Sequence, residues 1–216
     1  LPVDVVYDSL VHTVRAPCHG ARGRARRANF RLPAGISAVN LAGLPPRPAA
    51  ALQPGQSALF DDLLRDAPGW DDVAWLQANT RLPVILKGIL HPDDARQAAR
   101  LQAGGVIVSN HGGRTLDSAP PTAEALPRIA DALAGTLPLL VDGGIRRGTD
   151  ILKAMALGAN AVLVGKPYVF GLANAGALGV AHVLRLLRDE LEIAMALCGC
   201  ATLDDLPAGL LGAGQP

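Results

Sequence analysis

The sequence predicts an α/β fold of the (β/α)8 TIM-barrel type in which about five βα units are present. From about residue 82 onward, short continuous apolar runs alternate with Ala- and Leu-rich stretches of helical spacing, the pattern of a parallel sheet covered by helices. The units recur about every 23 to 31 residues, and polar residues follow each strand, as they do at the catalytic face of a barrel. A doubly wound sheet is less well supported, because it would more often carry one glycine-rich fingerprint after its first strand.

The strands are predicted from runs with few polar residues, at residues 9–14, 83–87, 105–109, 138–142 and 161–165. Apolar residues at helical spacing predict helices over residues 91–102, 122–134 and 149–157. Residues 33–58 are rich in Pro, Ala and Gly without a clear period, which predicts a flexible loop such as a lid. The barrel domain is therefore expected over residues 1–200, followed by a tail at residues 201–216.

Composition and charge exclude a disordered chain and argue against two classes of partner. With 50% hydrophobic residues in 216 positions, the chain is long enough to bury a core. A net charge of +1 gives no general attraction to nucleic acid or to an anionic membrane, and no apolar run approaches the roughly 20 residues of a membrane span. The cysteines, Cys18, Cys198 and Cys200, lack the spacing of a disulfide framework or a metal site, which predicts a cytoplasmic protein without a metal.

Two glycine turns that carry cations predict a phosphate site. Glycine lets backbone N–H groups approach an anion closely, and Arg or Lys can pair with it. One turn follows the predicted strand 138–142 and the other follows strand 161–165, and the loops after the last two strands of a barrel recurrently bind phosphate. The residues concerned are Asp142, Gly143, Gly144 and Arg146 in the first turn and Gly165 and Lys166 in the second.

A histidine and an arginine follow the predicted strand 105–109. His111 stands two residues beyond the strand end, and Arg114 comes three residues later, behind two glycines. Imidazole titrates near pH 6.5 and can accept a proton at neutral pH, while a guanidinium can hold a carboxylate by two parallel hydrogen bonds. The pair therefore predicts a base and a carboxylate clamp that face one pocket.

Lys87 ends the predicted strand 83–87 at the same mouth of the barrel. A lysine there could be a Schiff-base nucleophile, as in barrel aldolases, or a fixed positive charge that stabilises an anionic cofactor. The neighbouring residues fit both roles, so the two remain alternatives at this point.

Four segments in a fixed order along the chain carry a family resemblance. They are LPVILKG at residues 82–88, SNHGGRTLD at 109–117, DGGIRRGTD at 142–150 and GKP at 165–167. Together they resemble the FMN-dependent α-hydroxy acid oxidase and dehydrogenase family, which includes glycolate oxidase, lactate oxidase and mandelate dehydrogenase. The resemblance extends over about residues 8–200. It implies FMN as the cofactor and the oxidation of a small L-2-hydroxy acid to a 2-oxo acid.

The resemblance also implies a role for each candidate site residue. His111 would be the active-site base, and Arg114 together with Arg22 would hold the substrate carboxylate. Lys87 would lie at the N1/O2 edge of the flavin and stabilise the reduced, anionic ring. The remaining contacts would be Thr13 and Ser109 on the flavin and, around the phosphate and ribityl chain, Asp142, Gly143, Gly144, Arg146, Gly165 and Lys166.

Three features depart from the family pattern. The first predicted strand corresponds to the fourth of the family barrel, so we expect the 216-residue chain alone to be inactive and poorly stable. Arg15 stands where the family has an aspartate, and Lys166 stands where it has an arginine, which keeps the charge but loses the bidentate fork. A non-catalytic remnant of such an enzyme, or another phosphate-binding barrel such as a Schiff-base aldolase, is the alternative function. A homo-oligomer is compatible with either.

We expect Arg15→Asp to raise the rate of flavin reduction in a barrel completed by the earlier strands. A cation beside His111 opposes the positive charge that the imidazole gains with a proton, by about 4 kcal/mol at a separation of about 4 Å and an effective dielectric of about 20 before screening. The measurement is rapid-mixing reduction of bound FMN by a 2-hydroxy acid in parent and variant. A variant no faster than its parent would contradict the electrostatic argument.

Overall fold

Five parallel strands form a single sheet in the order β1-β2-β3-β4-β5. The computed structural model describes residues 9–14, 27–37, 39, 42–45, 51–64, 67–207 and 209–212. The strands are β1 Leu10–Thr13, β2 Val84–Ile89, β3 Gly105–Val108, β4 Leu139–Asp142 and β5 Ala161–Leu163. Each predicted strand is therefore confirmed, with its ends moved by at most two residues.

Helices follow the strands and cover one face of the sheet. They are α1 Trp70–Ala78, α2 Pro92–Arg100, α3 Thr122–Leu133, α4 Gly148–Ala156 and α5 Lys166–Leu197. Three of these confirm the helices expected from apolar spacing, whereas α5 extends over a stretch for which the sequence had indicated no helix. Short helical turns lie at Ala58–Leu63 and Leu203–Asp205. Within the described residues β1 and β5 each pair with one strand, so the sheet is an open part of a barrel, as predicted.

The two faces of the sheet have different environments, because successive side chains of a strand point to opposite sides. The helix-facing side is the core: Leu86, Val106 and Val108 are fully buried, and Ile129 of α3 packs in the same cluster. The opposite, concave face carries Ile85 and its register partners. At the C-terminal edge of this face the side chains are polar. These polar residues are Thr13, Lys87 and Asp142.

A bulge at Gly88 separates these two environments within β2. Lys87 pairs with Ile107, yet Ile89 pairs with the very next residue, Val108, so one residue of β2 is left without a register partner. Gly88 has φ +109°, a conformation that favours glycine. The extra residue places Ile89 in the helix-facing core while Lys87 stays on the concave face.

Helix α5 is two helical segments joined by a reversal. The backbone at Ala175 and Gly176 is not helical. Gly171 and Gly179 then lie so close that a Cβ on Gly179 would be 2.0 Å from the Gly171 carbonyl oxygen, which leaves no room for a side chain. By length and composition alone, this helix could cross a membrane, a property that the search for apolar runs in the sequence did not indicate. The reversal divides its apolar stretch.

The predicted loop and tail lie partly outside the described residues. The described parts of residues 33–58 contain short turns, and their predicted flexibility stays a prediction. In the tail, the backbone N–H and the hydroxyl of Thr202 donate to Asp205 at 2.7 and 2.8 Å. Both hydrogen bonds lower the pKa of the Asp205 carboxyl, and the bond from the Thr202 hydroxyl has the larger effect. The tail therefore begins with a capped turn.

Candidate active site

A pocket of about 480 Å³ opens at the C-terminal ends of β2, β4 and β5. It is lined by nine of the twelve residues predicted from the sequence to form the site. These are Lys87, His111, Arg114, Asp142, Gly143, Gly144, Arg146, Gly165 and Lys166. Parallel strands bring their C-terminal ends to one edge, which is why strand-end residues that lie far apart in the chain meet here.

Lys87, Ser109 and Asp142 form a polar bridge across three neighbouring strands. The Lys87 ammonium donates to Ser109 Oγ at 2.6 Å and is ion-paired with Asp142 Oδ2. The side chains of Lys87 and Asp142 are 19% and 18% exposed, so the pair is shielded from most of the solvent. The other carboxylate oxygen, Asp142 Oδ1, is buried and accepts no hydrogen bond from any described residue. That oxygen is a free acceptor beside the pocket.

This bridge decides between the two roles that the sequence left open for Lys87. A Schiff base requires a neutral amine that is free to attack a carbonyl. Here the amine nitrogen is held between a carboxylate and a hydroxyl, an arrangement that fixes its position and occupies it with polar partners. The geometry favours a fixed positive charge at the strand ends.

His111 lies in a left-handed turn that directs it to the pocket. Its φ is +57°, and Gly112 and Gly113 follow with +65° and +68°. The His111 N–H donates to Ser109 Oγ at 3.1 Å, and the Asn110 side chain accepts from the Gly113 N–H at 3.3 Å. A positive φ is uncommon at a residue other than glycine and costs free energy.

Arg114 closes the same turn and faces the same opening. Its N–H donates to the His111 carbonyl at 3.3 Å, and its guanidinium is exposed at the pocket rim. His111 and Arg114 therefore line one pocket, while their roles as base and carboxylate clamp stay predictions. Within the described part of the chain, the His111 imidazole makes no side-chain hydrogen bond.

The first glycine turn is held by contacts on both sides. Gly143 and Gly144 have φ +89° and +81°. The Thr122 hydroxyl at the start of α3 donates to the Gly143 carbonyl at 3.4 Å, and a Cβ on Gly143 would meet that hydroxyl at 3.2 Å. The N–H groups of Arg146 and Arg147 both donate to Asp150 Oδ2 at 3.0 Å. Arg146 lines the pocket while Arg147 does not.

Two of the predicted residues that the structure describes, Ser109 and Thr13, do not line this pocket. Ser109 is fully buried behind Lys87, to which it is bonded. Thr13 pairs in register with Lys87 on the concave face and is exposed. Arg22 lies outside the described residues, as does Arg15. The sequence analysis missed Tyr168 and Phe170, which follow the second glycine turn and supply the apolar wall; their place directly after Lys166 and Pro167 could have indicated them.

Comparison with known proteins assigns the chain to a family. A family model described as FMN-dependent dehydrogenase matches residues 4–213. The chain belongs to that family. The membership predicted from four motifs is confirmed, and FMN, the cofactor predicted from them, is the family's cofactor.

Individual relatives agree with this assignment. The chain is 51% identical to an L-lactate oxidase of Roseobacter over 209 residues, covering 97% of this chain and 56% of the relative. It is 44% identical to glycolate oxidase 1 of Zea mays, and the match covers 93% of this chain and 54% of the relative. A crystal structure of mandelate oxidase with (S)-2-phenylpropionate superimposes with a TM-score of 0.78 at 43% identity. The superposition covers 93% of this chain and 54% of the mandelate oxidase chain. The chain thus spans about half the length of the relatives it matches.

We expect Lys87 to react slowly in reductive methylation with formaldehyde and borohydride, which proceeds through a Schiff base. Lys153 on α4 is exposed and should label faster. Asp142→Asn should raise the labelling rate of Lys87 about fivefold, since a partly exposed ion pair contributes on the order of 1 kcal/mol. Peptide mass spectrometry measures both lysines. The control is Asp117→Asn, which removes an exposed carboxylate near the site that does not contact Lys87. Labelling of Lys87 as fast as that of Lys153 in the parent would support the aldolase alternative instead.

Proposed function

We propose that this chain forms the FMN-binding and proton-accepting part of a cytoplasmic enzyme that oxidises a small L-2-hydroxy acid to a 2-oxo acid. One observation carries the proposal: a single pocket combines His111 with the ion-paired Lys87 and with separate cations at its rim. The names of the relatives, L-lactate oxidase and glycolate oxidase among them, support the substrate class. The family membership supports the cofactor.

The phosphate end of FMN fits the two glycine turns. Gly143 and Gly144 present left-handed backbone without side chains, and Arg146 and Lys166 bring positive charge to the pocket from two different elements. Lys166 is also the first residue of α5, where the helix dipole favours an anion. The chemistry of these donors suits a phosphate monoester.

The remainder of the cofactor fits the polar bridge. Lys87 supplies a fixed cation for the edge of the flavin ring that becomes negative on reduction. Asp142 Oδ1 is a buried acceptor without a partner in the described chain, and a ribityl hydroxyl would satisfy it. Bound FMN supplies the two-electron acceptor of the reaction. Thr13 and Ser109 are proposed as further contacts on the flavin.

The turn after β3 supplies the side chains proposed to bind and react with the substrate. Arg114 would hold the carboxylate with two parallel hydrogen bonds, and Arg22 is proposed as the second arginine. His111 would accept the proton that the 2-hydroxy acid loses as its carbinol carbon becomes a carbonyl. The pocket places both groups at one opening, so a single small hydroxy acid can contact base and clamp together.

In a barrel completed by the earlier strands, we expect Arg146→Ala to lower FMN affinity about tenfold or more. A hydrogen bond to a charged group contributes about 1.5–3 kcal/mol, and about 1.4 kcal/mol corresponds to a factor of ten in Kd. The matched control is Arg147→Ala, because Arg147 is the next residue but lies outside the pocket lining. Titration of flavin fluorescence measures both variants. Unchanged FMN affinity in Arg146→Ala would remove this arginine from the phosphate site.

We expect His111→Gln to retain FMN and to slow its reduction at least about a hundredfold, the lower end of general-base contributions. The protein for this test is a hybrid in which the N-terminal part of the Roseobacter L-lactate oxidase precedes this chain. Rapid mixing with L-lactate measures the reduction rate, and the absorbance of bound flavin controls for cofactor loss. A hybrid that binds FMN yet is reduced equally fast with and without His111 would overturn the proposed base. A hybrid that cannot bind FMN would favour the non-catalytic alternative.

A further inference from the structure

Glu190, on the second segment of α5, contacts the first residue of α4. Its Oε2 accepts a hydrogen bond from the Gly148 N–H at 2.9 Å. Gly148 follows directly after the turn that carries Gly143, Gly144 and Arg146, yet Glu190 lies 42 residues further along the chain. The contact therefore joins the end of one predicted phosphate-binding turn to the helix that begins with the other.

The two backbones are in direct contact at this point. A Cβ on Gly148 would lie 2.0 Å from the Leu191 nitrogen and 2.3 Å from the Glu190 carbonyl carbon. Such distances are far below van der Waals contact, so the position accepts glycine and no side chain. Gly148 is buried, and its N–H would lose its partner if the Glu190 carboxylate were removed.

The N–H groups of the first residue of α4 and of the two residues before it are occupied from within the chain. Asp150 accepts from the N–H groups of Arg146 and Arg147, and Glu190 accepts from that of Gly148. A helix N-terminus normally leaves such donors free for an anion. At α4, two carboxylates hold these donors, and the phosphate-facing groups are left to the glycine turns, the Arg146 side chain and the start of α5.

We propose that Glu190 is a positioning residue for the phosphate end of the cofactor, an inference that rests on the proposed FMN site. It fixes the C-terminal end of the turn at residues 143–147, so that Arg146 faces Lys166 across the pocket. The reversal at Ala175 and Gly176 makes this geometry possible, because one helix supplies Lys166 at its first residue and Glu190 after it has turned back.

Amide hydrogen exchange in the FMN-free form of the hybrid described above, which supplies the earlier strands of the barrel, tests the positioning role without a ligand. We expect the Gly148 amide to exchange at least about tenfold faster in Glu190→Ala than in the parent, because a hydrogen bond to a charged group is lost. Glu190→Gln retains an acceptor and should stay within about threefold of the parent. Glu192→Ala is the matched control, since Glu192 lies on the same helix and pairs only with exposed Arg188 among the described residues. Equal exchange in the parent and Glu190→Ala, whether fast or slow, would overturn the proposal.

Flavin titration of the same four chains separates positioning from general destabilisation. We expect Glu190→Ala to weaken FMN binding at least about fivefold while riboflavin binding, which lacks the phosphate, changes less than about twofold. Equal weakening for both flavins would indicate loss of fold and overturn the proposal. A parent hybrid that binds neither flavin would instead overturn the FMN site, while the exchange rates would still decide whether Glu190 holds the turn.

Discussion

The ion pair between Lys87 and Asp142 is the constraint on which the site depends. The pair links β2 and β4, which are not neighbours in the sheet. Ser109, which follows the strand between them, β3, accepts a hydrogen bond from Lys87. Removing either partner would leave a largely shielded charge without compensation, which is costly. The Gly88 bulge serves the same contact, because it keeps Lys87 on the concave face while the strand continues into the core. His111 is tied to this bridge through Ser109, so His111 and Lys87 share one support.

Much of this arrangement could be predicted from the sequence because it follows from local patterns. Continuous apolar runs give buried parallel strands, and parallel strands place whatever follows them at one edge; Lys87, His111 and Asp142 needed no further information to be grouped together. The contacts that could not be predicted are those between distant segments. Nothing near Glu190 indicates that it reaches Gly148, because the contact depends on the reversal at residues 175–176, and glycines within a helical stretch do not show by themselves where a chain turns back.

The pairing of Gly148 with Glu190 also explains how the second part of the site holds its shape. His111 and the Lys87 bridge are positioned by the sheet, whose inner layers are close-packed and rigid. The first glycine turn lies beyond the strand ends and needs contacts of its own. Thr122, at the start of α3, donates to Gly143 at one end of the turn, and Glu190 on α5 accepts from Gly148 at the other. The turn is thus fixed at both ends, and Arg146 lies between these two anchors.

The charges of the pocket indicate what its ligands must supply. Among the residues that the structure describes, four cations line it, Lys87, Arg114, Arg146 and Lys166, against the one carboxylate of Asp142, which leaves a surplus of three positive charges. Like charges confined to one cleft repel one another and attract anions from solution. A phosphate monoester carries about 1.5 to 2 negative charges at neutral pH, and a hydroxy acid adds one carboxylate, so the two together nearly match the surplus. Either ligand alone would leave cations uncompensated. Binding of the phosphate as proposed would therefore leave about one positive charge for the proposed substrate, and Arg114 carries such a charge in the same turn as His111.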